Sequence, residues 1–153
     1  MAVSAPYLFG CASAAEHVHC GRKASEIFAG GSARKILIVS YSLYGHVFRM
    51  AQEVAEGVRA VPGGEPLVRK VPELMPESVI ESQPEMQRGR QMQKDVPLVR
   101  LDDFRAASGV IFGTPTRFGN VAAQLKNQID QLSPLWMKGE LEGKAAWGVR
   151  IHC

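Results

Sequence analysis

The chain lacks the cysteine pairs of a disulfide scaffold or a zinc site. Its three cysteines, Cys11, Cys20 and Cys153, lie near the ends, and none stands in a CxxC pair. An odd number at such spacing excludes a disulfide framework, and the expected state is reduced thiols in the cytoplasm. His17, His19 and Cys20 crowd into four residues. A closed structural zinc site needs a fourth ligand held by a fold, so no metal is expected there. No apolar run reaches the roughly 18 residues of a membrane-spanning helix. Charge of neither sign dominates, since 18 Lys and Arg against 15 Asp and Glu leave +3. That is too weak and too scattered for a nucleic-acid surface, so no nucleic-acid partner is expected. No internal repeat is visible. What is present is an ordinary globular composition, 46% apolar and 22% charged over 153 residues. One domain of this size hides about 68–70% of its unfolded surface.

Residues 1–34 differ from the rest. They are rich in Ala, Ser and Gly and show neither helical period nor strand alternation. They lack the basic start and long apolar stretch of a secretory signal, and an organelle transit peptide should carry more Arg. The expectation is a disordered N-terminal extension over 1–34, followed by one domain over 35–153.

Order is predicted to begin at Lys35. KILIVSY (35–41) is a continuous Ile/Val-rich run, the pattern of a strand buried on both faces. From Val47 the apolar residues Met50, Ala51, Val54, Ala55, Val58 and Val61 follow at helical spacing, and Pro62-Gly63-Gly64 stops them. PLVRKVP (66–72) reads as the next strand, which makes a βαβ unit and a parallel sheet. Residues 73–103 are polar and rich in Gln and Met, and are expected to form a mobile insertion without a core pattern, closing on a helical turn at Asp102-Asp103-Phe104. Val110–Gly113 reads as a third strand and Thr114–Gly119 as the loop beyond it. Val121, Ala122, Leu125, Ile129 and Leu132 then mark one side of a helix that Ser133-Pro134 ends. AAWGV (145–149) starts a fourth strand.

In an open parallel sheet, ligands bind beyond the carboxyl ends of the strands, and two chemically unusual loops fall there. The first is Ser42-Leu43-Tyr44-Gly45-His46-Val47. A helix start offers unpaired N–H groups and a positive dipole end. Ser42 adds a hydroxyl, and Gly45 lets the backbone come close. The loop is neither a Walker loop nor a Gly-x-Gly-x-x-Gly fingerprint. Two readings stand: a phosphate cradle, or a plain N-cap by Ser42. His46 reads as a helix-start donor rather than a general base. The second loop is Thr114-Pro115-Thr116-Arg117-Phe118-Gly119-Asn120. Its hydroxyl, cation and aromatic ring suit the edge and face of a flat heteroaromatic ring. They also suit an ordinary turn with Arg117 in solvent and Phe118 capping the core.

A phosphate cradle after the first strand and a ring-binding loop after the third is the flavodoxin arrangement, and its ligand is FMN. KILIVSYSLYGHVFRMAQEVAEGV, VRKVPELMP and IFGTPTRFGN, with the spacing onward to LW, resemble the WrbA family of flavodoxin-like NAD(P)H:quinone oxidoreductases. The resemblance covers about residues 35–146. It implies an α/β fold with a doubly wound parallel sheet. It implies that Ser42, Leu43, Tyr44, Gly45, His46 and Val47 hold the FMN phosphate, and that Pro115, Thr116, Arg117, Phe118, Gly119 and Asn120 border the flavin. Tyr44 and Trp136 would border the substrate site, although Trp136 also reads as a core or interface aromatic. NAD(P)H is the implied co-substrate and a quinone the electron acceptor. No protein side chain is nominated as catalytic, because the chemistry belongs to the flavin. The family assembles as homodimers and tetramers.

Beyond Ala146 the sequence departs from the family, which continues into a third flavin loop and a fifth strand. The tail Trp147–Cys153 is expected to carry no family pattern. The sheet is expected to be incomplete at the strand 4/5 edge, with weaker FMN binding and doubtful assembly. The rival expectations are a catalytically inactive truncated form and an electron-carrier flavodoxin. The net +3 speaks against the carrier, which needs an acidic docking surface.

Overall fold

In the computed structural model, which describes residues 33–151, four parallel strands form the sheet that positions everything else. They are β1 (Arg34–Ser40), β2 (Gly64–Lys70), β3 (Gly109–Arg117) and β5 (Ala145–Ile151), in the order β2-β1-β3-β5. β4 (Asn120–Val121) is a two-residue antiparallel partner of the end of β3. The expectations for residues 1–32 and for all three cysteines lie outside the described residues.

Alternation along β1 sends its residues to two layers. Ile38 faces α1 (His46–Ala60) and packs with Ala51 and Ala55, flanked by Val68 and Ile111. Leu37, Val39 and Tyr41 face the other layer. There they meet Phe104 of α4 (Leu101–Ala106), Leu125 of α5 (Ala123–Asp130) and Leu135 of α6 (Ser133–Met137). Helices therefore cover both faces, as a right-handed crossover from β1 to β2 and a return to β3 require. Phe104 is fully buried and stacks on Phe112 with ring centroids 6.3 Å apart. Lys144, just before β5, donates to the carbonyls of Phe104, Arg105 and Ala107 at 2.6–2.9 Å, and so ties the end of α4 to the outer strand.

Two sequence expectations are corrected here. Residues 73–103 are not an insertion without a core role. They fold into α2 (Glu77–Glu81), α3 (Pro84–Met92) and α4, and bury Ile80, Met86, Gln93 and Val99. Their apolar residues are too sparse for a period, because each short helix spends only one or two side chains on the core. Ser133-Pro134 does not simply end a helix, since Pro134 occupies the first turn of α6, where its missing N–H costs nothing. The expected strand at AAWGV is present, and β5 runs on through the tail to Ile151 in register with β3. Among the described residues, no helix is long and apolar enough to cross a membrane.

Candidate active site

The chain passes from β1 to β2 on one side and then to β3 on the other, so the strand order reverses between β1 and β3. Ligands of open α/β sheets bind at such a reversal. The two loops singled out from sequence both lie there. The loop from Ser42 to Gly45 leaves β1, and the end of β3 runs beside it, with Tyr41 N–H donating to Gly113 O at 3.0 Å. Gly113 has a packing reason: a Cβ there would sit 3.1 Å from Val47 and 3.2 Å from Ser40. Its absence lets the first turn of α1 settle against β3.

Ser42 is not the N-cap of α1. That place belongs to Gly45, at φ 88°, whose carbonyl accepts from Arg49 N–H at 3.0 Å, and no side chain caps the helix. The N-cap reading of Ser42 therefore fails. The first-turn N–H groups of α1 have no intrahelical acceptor. Ser42 is 8% exposed, and its buried hydroxyl has no partner among the described residues. A buried hydroxyl without a partner costs about 1–3 kcal/mol. Here it stands beside open N–H groups at the positive end of a helix dipole.

The second loop is shorter than the sequence suggests. β3 continues through Thr114, Pro115 and Thr116 to Arg117, and only Phe118 and Gly119 turn the chain into β4. The extension is possible because Thr116 and Arg117 pair with Val121 and Asn120. Thr114 Oγ1 accepts from Ala122 N–H at 3.1 Å and donates to Pro115 O at 3.0 Å, which fixes the start of α5. Thr116 Oγ1 is a second buried hydroxyl without a partner. Phe118 holds φ 50°, and a bulky residue in that region is strained. Its ring does not cap the core: the side chain is fully exposed, next to exposed Arg117. Tyr44 is 38% exposed, and Trp136 stands on α6 with 75% of its surface open.

Several residues at this edge carried no sequence signal. Gln93 is buried, and its amide donates to Ser42 O at 2.7 Å and Gly89 O at 2.8 Å. Gly89 brings α3 directly onto Leu43 and Tyr44. One hint was legible, a lone glycine inside the helical stretch 84–92. Glu73 accepts from Tyr41 Oη at 2.9 Å, from the N–H groups of Leu74 and Met75, and from Gln124 Nε2 at 2.6 Å. It thereby joins the end of β1 to the start of α5. Burial, and then this hydrogen bond to Glu73, push the Tyr41 hydroxyl well above the ordinary tyrosine range. The folded state thus keeps a proton that an unfolded tyrosine releases near pH 10. That contribution is whole below about pH 10 and is lost as pH rises further. Urea unfolding from about pH 9 to about pH 11 should show stability falling, and Tyr41→Phe should lessen the slope.

The profile of the family described as NADPH-dependent FMN reductase matches residues 34–152. The chain is 48% identical over 110 residues to an NAD(P)H dehydrogenase (quinone) of Aromatoleum aromaticum, a match that covers 72% of this chain and 53% of that protein. It is 46% identical over 111 residues to the protein of the same name in Geobacter sulfurreducens, covering 72% and 54%. The chain therefore spans about half the length of the curated relatives it matches. Among solved structures it resembles the flavodoxin, WrbA-like protein from Agrobacterium tumefaciens, with a TM-score of 0.55 and 23% identity over 80% of this chain and 61% of that one. This likeness shows the fold, a flavodoxin-like doubly wound α/β sheet.

Proposed function

The chain belongs to the NADPH-dependent FMN reductase family, and from that premise we propose that it binds FMN at the β1–β3 reversal and serves the two-electron reduction of quinones by NAD(P)H. The observation that carries the reading is that, of three buried hydroxyls without partners among the described residues, two stand at this edge, Ser42 on the first loop and Thr116 at the end of β3. They fit a ligand with a phosphate at one end and a hydrogen-bonding ring at the other.

When bound, FMN supplies the hydride chemistry by which NAD(P)H and a proton convert a quinone to its hydroquinone. The protein's share is binding and orientation. The Ser42 hydroxyl would donate to the phosphate, together with N–H groups from Tyr44, Gly45, His46 and Val47. The dipole of α1 favours the same charge. Leu43 supports this loop from beneath, buried in the core. Thr116 would meet the ring edge from the β3 strand that Pro115 stiffens. Arg117 would set a cation beside it, and Gly119 and Asn120 would shape the turn that presents Phe118. Tyr44 and Trp136 would border the substrate.

Like the family, this reading places the protein in the cytoplasm and in homo-oligomers. The exposed Trp136 and Met137 on α6 support such assembly. The test is to titrate purified full-length protein with FMN, reading flavin fluorescence, and then to assay NAD(P)H oxidation with and without a quinone. Saturable binding at micromolar or lower dissociation constant, with quinone-dependent oxidation, is expected. A protein that takes up no FMN sinks the proposal.

A further inference from the structure

A cavity opens on the β2 side of the proposed FMN crevice, with Ser42 and Leu43 of the first loop in its lining. It holds about 550 Å³ between the carboxyl ends of β1 and β2 and the helices α2 and α3. That is ample for a small ligand. Its apolar wall is Val71, Ile80 and Met86, all buried. Its rim is charged, and the charges do not cancel. Glu77 is paired with Arg90, and both oxygens of Glu73 are taken by Tyr41, Gln124 and backbone N–H groups. Lys70 spends one donor on Gln93 O at 2.6 Å, and Lys94 has no side-chain partner among the described residues. A second cleft opens from the same place, shares Lys70, Glu77, Ile80, Arg90 and Lys94, and adds Glu81. Neither Lys70 nor Lys94 forms an ion pair among the described residues, and both stand over an apolar floor. Three buried polar residues also line the space: Ser40, Ser42 and Gln93, whose amide grips Ser42 O.

We propose that this cavity is a second small-molecule site, taking a compact apolar body that ends in one carboxylate or phosphate. The apolar body covers Val71, Ile80 and Met86, and the anion sits between Lys70 and Lys94. Through Gln93 and Gly89 the occupant also bears on the Ser42–Gly45 loop, so the two sites would sense one another.

The test uses the full chain without flavin and is read at Val71, Ile80 and Met86, which belong to the cavity and to neither proposed FMN loop. Amide shifts are followed by NMR as 2-naphthoate, 1-naphthyl phosphate or uncharged 2-naphthamide is added. Saturable shifts at Val71, Ile80 and Met86, extending to Ser42–Gly45, are expected for the two anions. The tighter of them identifies the head group. Lys94→Glu should weaken either anion by about tenfold or more, since a favourable charge becomes a repulsive one. Ile80→Trp should abolish binding by filling the space; should that variant not fold, Lys94→Glu alone decides. The proposal is overturned if naphthamide binds as tightly as the anions, if Lys94→Glu changes nothing, if the shifts gather at Phe118 and Trp136, or if nothing saturates by about 5 mM, beyond the weakest affinities of such sites.

Discussion

Gly89→Ala lowers the melting temperature by roughly 10 °C and weakens FMN binding, although residue 89 belongs to neither flavin loop. A Cβ on Gly89 would press into the Leu43 carbonyl oxygen and stand 2.8 Å from Tyr44 Cα and 2.9 Å from the Tyr44 carbonyl carbon. All three are backbone atoms, so no rotamer change relieves the clash. Either α3 lifts away or the Ser42–Gly45 loop shifts. Lifting α3 also draws Gln93 off Ser42 O and Met92 off Gly45, where its sulfur now lies 2.9 Å from the place a Cβ would take. Overpacking of this kind costs about 3 kcal/mol, the upper end of the usual range. Gly64→Ala is the control. Its Cβ would press into Val58 O and lie 3.1 Å from Val61 O, at the far end of β2. It should melt early too, yet bind FMN as the parent does once folded. Thermal unfolding and flavin quenching, both read well below the transition, separate the two. Unchanged affinity in Gly89→Ala would refute the role of α3 as support for the loop.

Ser42→Ala should raise the FMN dissociation constant roughly tenfold to a hundredfold while leaving the flavin-free protein as stable as before, or more so. The two effects have opposite signs for one reason. Without ligand, the Ser42 hydroxyl is buried and unsatisfied, and its removal relieves a desolvation cost. With ligand, it makes a hydrogen bond to a charged group, worth about 1.5–3 kcal/mol. Thr116→Val keeps the shape and removes the second orphan hydroxyl. A neutral bond of about 0.5–1.5 kcal/mol predicts a loss of about twofold to tenfold. Ser40 supplies the contrast: its hydroxyl is also buried without a partner, but it lies under Gly113 in the strand rather than on a flavin loop. Ser40→Ala should leave FMN affinity unchanged. Equal losses in Ser40→Ala and Ser42→Ala would mean that the orphan hydroxyls do not mark the cofactor.

The division between what is legible in sequence and what is not follows the range of the interactions. The strand at 35–41, the helix from Val47 and the βαβ unit were readable because burial is written locally, as a continuous Ile/Val run in the strand and a 3.6-residue period in the helix. The two candidate loops were readable because their composition is unusual at places that the βα order brings to one edge. The ends of those loops were not, because the extension of β3 to Arg117 depends on β4 pairing back on it. The segment 73–103 was misread for a related reason. Ile80, Met86 and Gln93 are each the buried member of a short, polar stretch, and no window of sequence averages them into a pattern.

By itself, then, the sequence determined a parallel α/β sheet, the place where its strand order turns, and the two loops that meet there, since periodicity and loop chemistry are local properties of the chain. Only the tertiary structure decided that Gly45 rather than Ser42 opens α1, that Ser42 and Thr116 keep hydroxyls without partners, and that α3 and Gln93 brace the first loop. These depend on atoms that lie far apart along the chain, Gln93 and Ser42 being 51 residues apart. Burial and hydrogen-bond satisfaction are settled by which distant groups the folded chain brings into contact.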